Sequence, residues 1–153
     1  MEQLKLIYST DFYSVNDIQL SDCCGHMICL EGEGSLVFNE KCFHFCAGDI
    51  LILTQPHKLK NLAAGKHLRV EFFATQYTFL LKQLPSNSFA IWGGISLYAD
   101  PIIHATKEEG ERFLADIRII RDRIQEKGEH RFYLEMIASL CRTMMYDLFS
   151  FHA

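Results

Sequence analysis

The sequence has little of what marks disordered, exported or membrane-spanning chains. Only three of its 153 residues are proline and 22% are charged, whereas disordered chains are rich in both. No apolar run approaches the roughly 18 residues that a membrane-spanning helix needs. Residues 1–5 are not followed by the long apolar stretch of a secretory signal. We therefore expect a folded, soluble, cytoplasmic domain without a membrane partner.

A concentration of positive charge is also missing. The formal net charge is −4, whereas proteins that bind nucleic acid cluster lysine and arginine against the phosphates. Arg118, Arg121 and Arg123 lie close together, but acidic residues are interleaved with them. This pattern favours a solvated helix face over a row of phosphate contacts. We predict that this chain does not itself hold DNA.

Cysteine is plentiful for a chain without an export signal. An even number of cysteines, six here, predicts a disulfide framework in a small secreted protein. A cytoplasmic chain long enough to bury its own core needs no such framework. We expect six free thiols.

The first half of the sequence, to about residue 74, has the pattern of short strands separated by turns. Asn39-Glu40 is a two-residue connection of the kind found in hairpins. Residues 50–53 form a continuous apolar run, as expected for a strand buried on both faces. The predicted strands cover residues 27–30, 35–38, 41–46, 50–53, 57–62 and 67–74. Many short strands at this spacing predict an antiparallel sandwich or barrel.

The second half is helical. Thr106 and Glu109 match a capping box, and apolar residues then recur at helical spacing as far as Ile124. Lys127 and Gly128 supply the charge and the left-handed residue that favour a helix end. A second helix is predicted from about residue 130 to residue 151.

The second predicted helix has two apolar stripes offset by one residue. One consists of Tyr133, Ile137, Leu140, Met144 and Leu148, and the other of Leu134, Ala138, Cys141, Met145 and Phe149. Together they cover more than packing on one side of a domain requires. We predict a homodimer through Ile137, Leu140, Met144 and Leu148. The alternative is a helix packed between the strands and its neighbouring helix.

Residues 30–38 and 43–53, followed by Pro56-His57, resemble the core of the cupin family. The Gly48-Asp49 turn before an apolar strand, and then Pro-His, carry this resemblance. It implies a jelly-roll β-barrel, so the predicted fold is mainly β with C-terminal helices: a cupin-like barrel followed by a two-helix dimerisation element.

The order of the remaining segments resembles the N-terminal sensor domain of AraC-family transcription regulators. Residues 77–85, 100–104, a capped helix and a long second helix follow the strands. The resemblance implies that residues 1–100 form an effector-binding barrel and residues 101–153 a helical hairpin for dimerisation. It also implies that DNA is bound by a separate C-terminal domain, which this chain lacks.

Many cupins are metal enzymes, but the first of their two ligand motifs is not matched here. His57 fills the second motif, whereas the expected histidines of the first fall near Gln19 and Ser21, and the expected glutamate near Cys24 or Gly25. One imidazole does not make a transition-metal site. We predict no metal, no cofactor and no catalytic residue.

A second group of metal-ligand residue types lies on a single strand. Cys42, His44 and Cys46 alternate with Phe43 and Phe45. Residues two apart on a strand share a face but are separated by almost 7 Å. The phenylalanines should face inward, which leaves the trio on the outer surface. We interpret it as tolerated surface residues.

The resemblance places candidate effector contacts at Leu59, His67 and Arg69. By alternation, His67, Arg69 and Glu71 share one strand face, expected at the barrel mouth, while the opposite face, residues 68, 70 and 72, is expected under the helices. Arg69 suits a carboxylate or phosphate, which favours an anionic or mixed-polarity effector. The alternative is that Arg69 pairs with Glu71 or another acid on a solvated face.

The sequence predicts a non-enzymatic sensing and dimerisation domain of an AraC-type regulator, with a small-molecule effector and a second copy of the chain as partners. A first alternative is a free-standing small cupin, such as a metal-dependent isomerase or oxygenase. A second alternative is a dimerisation domain whose barrel is filled by side chains and binds no ligand.

Overall fold

A computed structural model describes residues 4–18, 22–54, 56–83 and 100–152. The strands in these ranges are β1 Leu6–Ser9, β2 Cys23–Glu31, β3 Glu33–Phe38, β4 Lys41–Cys46, β5 Asp49–Leu53, β6 Leu59–Ala64, β7 Arg69–Gln76 and β8 Ile102–His104. The helices are α1 Tyr77–Lys82, α2 Lys107–Ile124 and α3 Tyr133–His152, with 3-10 helices at Phe12–Ile18 and Pro56–Lys58. The prediction of a mainly β chain with C-terminal helices is confirmed.

The strands form two antiparallel sheets. The larger has the order β1-β7-β2-β5-β8, and the smaller has the order β4-β3-β6. Within the described residues the two sheets are not joined into a closed barrel, so the predicted barrel is not what these strands form. Alternating apolar runs specify strands and their faces, but they do not specify which strand edges meet.

The hairpin between β3 and β4 follows the sequence prediction. Phe38 pairs with Lys41, and the two residues between them, Asn39 and Glu40, have φ angles of 52° and 68°. Both values lie in the left-handed region that a two-residue hairpin turn requires at both central positions. The predicted two-residue connection is confirmed.

The larger sheet is buried on both faces and therefore forms the middle layer of three. On β5, Leu51 and Leu53 belong to an inner core between the two sheets. Ile50 and Ile52 belong to an outer core between the larger sheet and the helices. The prediction that residues 50–53 are a strand buried on both faces is confirmed.

The helical layer packs on the outer face of the larger sheet. Phe113, Ile117 and Ile120 of α2 lie in the outer core together with one face of α3. The capping box is confirmed, because Glu109 N donates to Thr106 Oγ1 at 3.2 Å and Thr106 N donates to Glu109 Oε1 at 2.8 Å. Helix α3 begins at Tyr133 rather than at residue 130.

Four elements lie outside the segments that the sequence assigns to strands or helices. They are β1, the 3-10 helix Phe12–Ile18, α1, and β8, which lies in the part predicted to be a helical hairpin. Strand β8 pairs with β5, and His104 Nδ1 lies 2.9 Å from Asp49 Oδ1 at the end of that pairing. The described edges of the larger sheet are therefore strands of three or four residues, too short to show the alternation that predicts a strand.

Candidate functional site

The four residues predicted to bind an effector do not meet at one place. Leu59 is buried in the inner core between the sheets. His67 lies in the exposed turn before β7, with a φ of 60°. Arg69 is exposed at the first position of β7, and Glu71 is buried on that strand.

The predicted orientation of residues 67–74 is wrong. Val70 and Phe72, expected under the helices, lie in the inner core. Phe73 lies in the outer core against the helices, and Glu71, on the same side, contacts Arg118 of α2. Alternation separates the two faces of a strand correctly but does not say which face meets which layer. Since this sheet is buried on both sides, the pattern had no solvent face to orient it.

Glu71 joins the sheet to the helical layer. Arg118 Nε lies 3.1 Å from Glu71 Oε1 and 3.2 Å from Oε2, and the Tyr8 hydroxyl donates to Oε1. Burial raises the pKa of Glu71, but the hydrogen bonds from Arg118 and Tyr8 outweigh it and hold the pKa below its usual range. A buried charge needs such partners, so an acidic residue inside an otherwise apolar strand is the sequence signal for this contact.

Arg69 is paired on the surface. Its Nη1 lies 3.0 Å from Glu31 Oε1, and both side chains are more than half exposed. This arrangement is the alternative that the sequence left open, a pair with an acid on a solvated face. The acid is Glu31 of β2 rather than Glu71.

Large side chains occupy the space between the two sheets. The most completely buried of them are Met27, Leu36, Phe38, Leu51, Leu53 and Phe72, each with 1% or less of its surface exposed. Close-packed interiors of this kind leave little room for a ligand. An effector site is therefore favoured outside the interior that the described residues fill between the two sheets.

A groove of about 700 Å³ lies where β1, α1 and the connection between α2 and α3 come together. Volumes in this range are typical of small-molecule sites. Its apolar lining consists of Leu4, Leu6, Phe79, Ile124, Leu134 and the ring of Tyr133, and its polar lining of Gln76, Thr78, Lys82 and Lys127. None of the four residues predicted to bind an effector lines this groove.

The groove is formed by residues from the two layers that enclose the outer core, the larger sheet and the helices. Residues 76–82 continue directly from β7 into α1, which places Thr78 and Phe79 beside β1. The opposite wall is the α2–α3 connection, which is held together by the Tyr133 hydroxyl donating to Ile124 O at 2.9 Å. A molecule in the groove would contact the sheet side and the helical hairpin at the same time.

Three of the four residues predicted to form a dimer are buried inside the chain. Ile137, Met144 and Leu148 of α3 have at most 4% of their surface exposed and pack in the outer core, and Leu140 is half-buried beside them. The alternative of a helix packed against its own chain describes these residues. A partner molecule would have to use another side of α3.

The second apolar stripe of α3 is less covered. Cys141 is fully buried, but Leu134 is 56% exposed, and Ala138, Met145 and Phe149 are half-buried. We call Leu134, Ala138, Met145 and Phe149 the α3 flank. The surplus apolar surface that the sequence showed on this helix lies here.

Among the described residues, the positions that correspond to the metal ligands of cupins do not form a cluster. His57 is exposed on the 3-10 turn Pro56–Lys58, while Gln19 and Ser21 lie outside the described residues. Cys24 and Gly25 are buried on β2. Within the described ranges no three residues among His, Cys, Asp and Glu are placed to share an ion.

The trio on β4 lies on the outer surface, as predicted. Cys42, His44 and Cys46 are exposed, whereas Phe45 is buried in the inner core with Phe43 packed against it. Cys42 Sγ lies 3.8 Å from His44 Nε2. All six cysteines have free thiols in this structure.

His26 and Asp116 titrate away from their ordinary values. Burial lowers the pKa of His26 to about 4, so this imidazole is neutral at physiological pH. Burial, followed by the hydrogen bond with Asp147 of α3, raises the pKa of Asp116 on α2 to about 8, although Arg112 acts in the opposite direction. The two helices therefore meet at Asp116 and Asp147, and Asp116 holds a proton near neutral pH.

None of the described helices combines the length and the apolar character needed to cross a membrane.

No protein-family model matches the chain, and no curated protein matches its sequence. The fold is similar to that of the AraC-like transcriptional activator CuxR in its crystal structure, with a TM-score of 0.57 and 8% sequence identity. The likeness covers 98% of this chain but 52% of that protein, so the chain spans about half its length. At this identity the likeness shows a shared fold.

Proposed function

We propose that this chain is the effector-sensing and dimerisation module of a cytoplasmic AraC-type transcription regulator whose DNA contacts are made by a separate domain. The observation that carries the proposal is the shared fold with about half of an AraC-like activator. The groove and the α3 flank supply, respectively, a place for a small molecule and a surface for a second copy of the chain.

The distribution of charge supports a separate DNA-binding domain. The three neighbouring arginines of α2 each have an acidic partner within this chain: Arg118 pairs with Glu71, Arg121 with Asp122, and Arg123 with Glu126. Cations that are already paired, in a chain with a net charge of −4, do not provide the free positive surface that phosphate binding needs.

We place the effector in the groove rather than in the sandwich interior. A ligand there contacts β1 and α1 on one side and the α2–α3 connection on the other. Such a ligand shifts the position of the helical hairpin only if it binds one arrangement more tightly than the other. Because α3 carries the proposed dimer surface, this difference in affinity would be transmitted to the assembly of the regulator.

A variant that fills the groove tests this placement. A metabolite that raises the melting temperature of the wild type should fail to do so with Thr78→Trp, because ligand binding stabilises the folded state by mass action. Thr143→Trp, at an exposed position on α3, is the matched control and should respond like the wild type. Full stabilisation of Thr78→Trp would place the effector site elsewhere.

The α3 flank is tested by sedimentation velocity. We expect the wild type to be a dimer and Met145→Glu to be a folded monomer, because a charge at a packed apolar interface is costly to bury. Thr143→Glu, two residues away on the exposed side, should remain dimeric. A dimeric Met145→Glu, or a monomeric wild type at micromolar concentration, would contradict the proposed surface.

The filled sandwich interior favours one alternative, a dimerisation module that binds no ligand. This alternative predicts the same response to Met145→Glu but no stabilisation by any metabolite.

A cell assay distinguishes effector sensing from dimerisation alone. The chain is fused to a DNA-binding domain that represses a reporter only as a dimer, and effector sensing requires repression to change when the metabolite is supplied.

A further inference from the structure

We infer that the groove binds an amphipathic monoanion, a molecule with one negatively charged head and an extended apolar body. This inference rests on the proposed function, since it names the chemical class of the effector for the same site. It is carried by the composition of the groove walls, taken residue by residue.

The walls offer mainly apolar surface. Leu4, Leu6, Phe79, Ile124 and Leu134 come from four separate parts of the chain and face one space. Each methylene group that a ligand buries against such surface contributes about 0.8 kcal/mol to transfer from water. An extended apolar body is therefore the part of a ligand that this groove stabilises most.

Two of the uncharged polar side chains in the walls already have partners within the chain. The Tyr133 hydroxyl donates to Ile124 O at 2.9 Å, and Gln76 Oε1 accepts from Lys5 N at 3.2 Å. A sugar or another polyhydroxylated molecule would leave most of its hydroxyl groups without partners here, which is costly once they are removed from water. This disfavours such ligands for the groove.

All of the formal charge on the described lining residues of the groove is positive. Lys82 at the end of α1 and Lys127 after α2 both line the groove, and neither Asp nor Glu is among its described lining residues. The carboxylate near Tyr133, that of Glu126, is paired with Arg123. In a chain with a net charge of −4, two lysines facing one apolar groove favour an anionic head over a cationic one.

Isothermal titration with two surfactant-like probes of equal chain length, each below its micelle concentration, tests the inference. We expect decanoate to bind the wild type and decyltrimethylammonium not to bind. The double variant Lys82→Gln/Lys127→Gln should weaken decanoate binding by about tenfold, the sum of two screened ion pairs. The matched control Lys58→Gln/Lys60→Gln changes the charge equally away from the groove and should bind like the wild type.

Equal binding of the two probes, or equal loss of decanoate binding in both double variants, would overturn the monoanion inference. So would the absence of decanoate binding. The proposed function is judged separately. If another metabolite stabilises the wild type but not Thr78→Trp, the groove remains the effector site and only the ligand class is wrong. If decanoate binds Thr78→Trp as tightly as the wild type, both are wrong.

Discussion

At the level of single residues, the carboxylate of Glu71 connects the sheet to the helices. It is buried on β7, accepts from Tyr8 of β1 and pairs with Arg118 of α2. Removing one member of a buried pair leaves the other without compensation, which usually costs more than the pair itself contributes. Arg118 is 43% exposed, so part of the interaction is screened by solvent.

We expect Arg118→Ala to lower the free energy of unfolding by about 1 to 2 kcal/mol, measured by urea denaturation at pH 7. The exposed Arg142→Ala on α3 is the control and should change it by less than about 0.5 kcal/mol. Because the folded pKa of Glu71 is lowered, its contribution is present above the unfolded pKa and is lost as the pH falls through the folded one. The free energy of unfolding of Arg118→Ala should therefore fall less at acid pH than that of the wild type. An equal fall in the two proteins would contradict this role of Glu71.

At the level of elements, the β3–β4 hairpin adopts a turn that its sequence suits only in part. Asn tolerates the left-handed region at Asn39, but Glu40, with a φ of 68°, is a residue type that rarely adopts it. A left-handed conformation costs a residue with a Cβ atom roughly 1 kcal/mol. The ion pair between Glu40 and Lys60 is exposed on both sides and offsets little of this.

Glu40→Gly should stabilise the chain by about 0.5 to 1 kcal/mol, because glycine adopts this backbone conformation without strain. Thermal and urea denaturation measure the change. Glu40→Ala is the matched control, since it also removes the ion pair but keeps the strained backbone, and it should be neutral or slightly destabilising. If both variants behaved alike, the strain would not be the cause.

At the level of the whole molecule, the buried His26 and the half-buried Asp116 give the stability opposite dependences on pH. The pKa of His26 is lowered from 6.5 to about 4, so its contribution is present above 6.5 and is lost as the pH falls towards 4. The pKa of Asp116 is raised from 3.8 to about 8, so its contribution is lost as the pH rises through this interval. Between pH 6.5 and 8, the contribution of Asp116 to stability changes, whereas that of His26 is constant.

We therefore expect the stability of the wild type to fall between pH 6.5 and 8, and Asp116→Asn to remove this slope because an amide cannot lose the shared proton. Chemical denaturation at a series of pH values measures it. Asp122→Asn, at an exposed position on the same helix, should keep the slope. A slope retained in Asp116→Asn would show that Asp116 does not titrate in this range.

Prediction from the sequence worked best where the signal was local. The two-residue turn at Asn39-Glu40, the capping box of Thr106 and Glu109, and the outward position of the β4 trio depend on neighbouring residues and are confirmed. The predicted effector contacts rest on one resemblance and on one strand face. The groove is formed by four separate segments, and no single segment carries a pattern that predicts it.

The sequence by itself determined strands β2 to β7, the two long amphipathic helices and the separation of each of these strands into two faces, because these depend on periodicity along a single segment. Only the tertiary structure decided which face met which layer. It turned Glu71 towards Arg118, placed Ile137 and Met144 inside the chain's own core, and brought Lys82 and Lys127 to one groove. The physical reason is that side chains compete for partners across the whole fold, and that competition includes residues far apart in the chain.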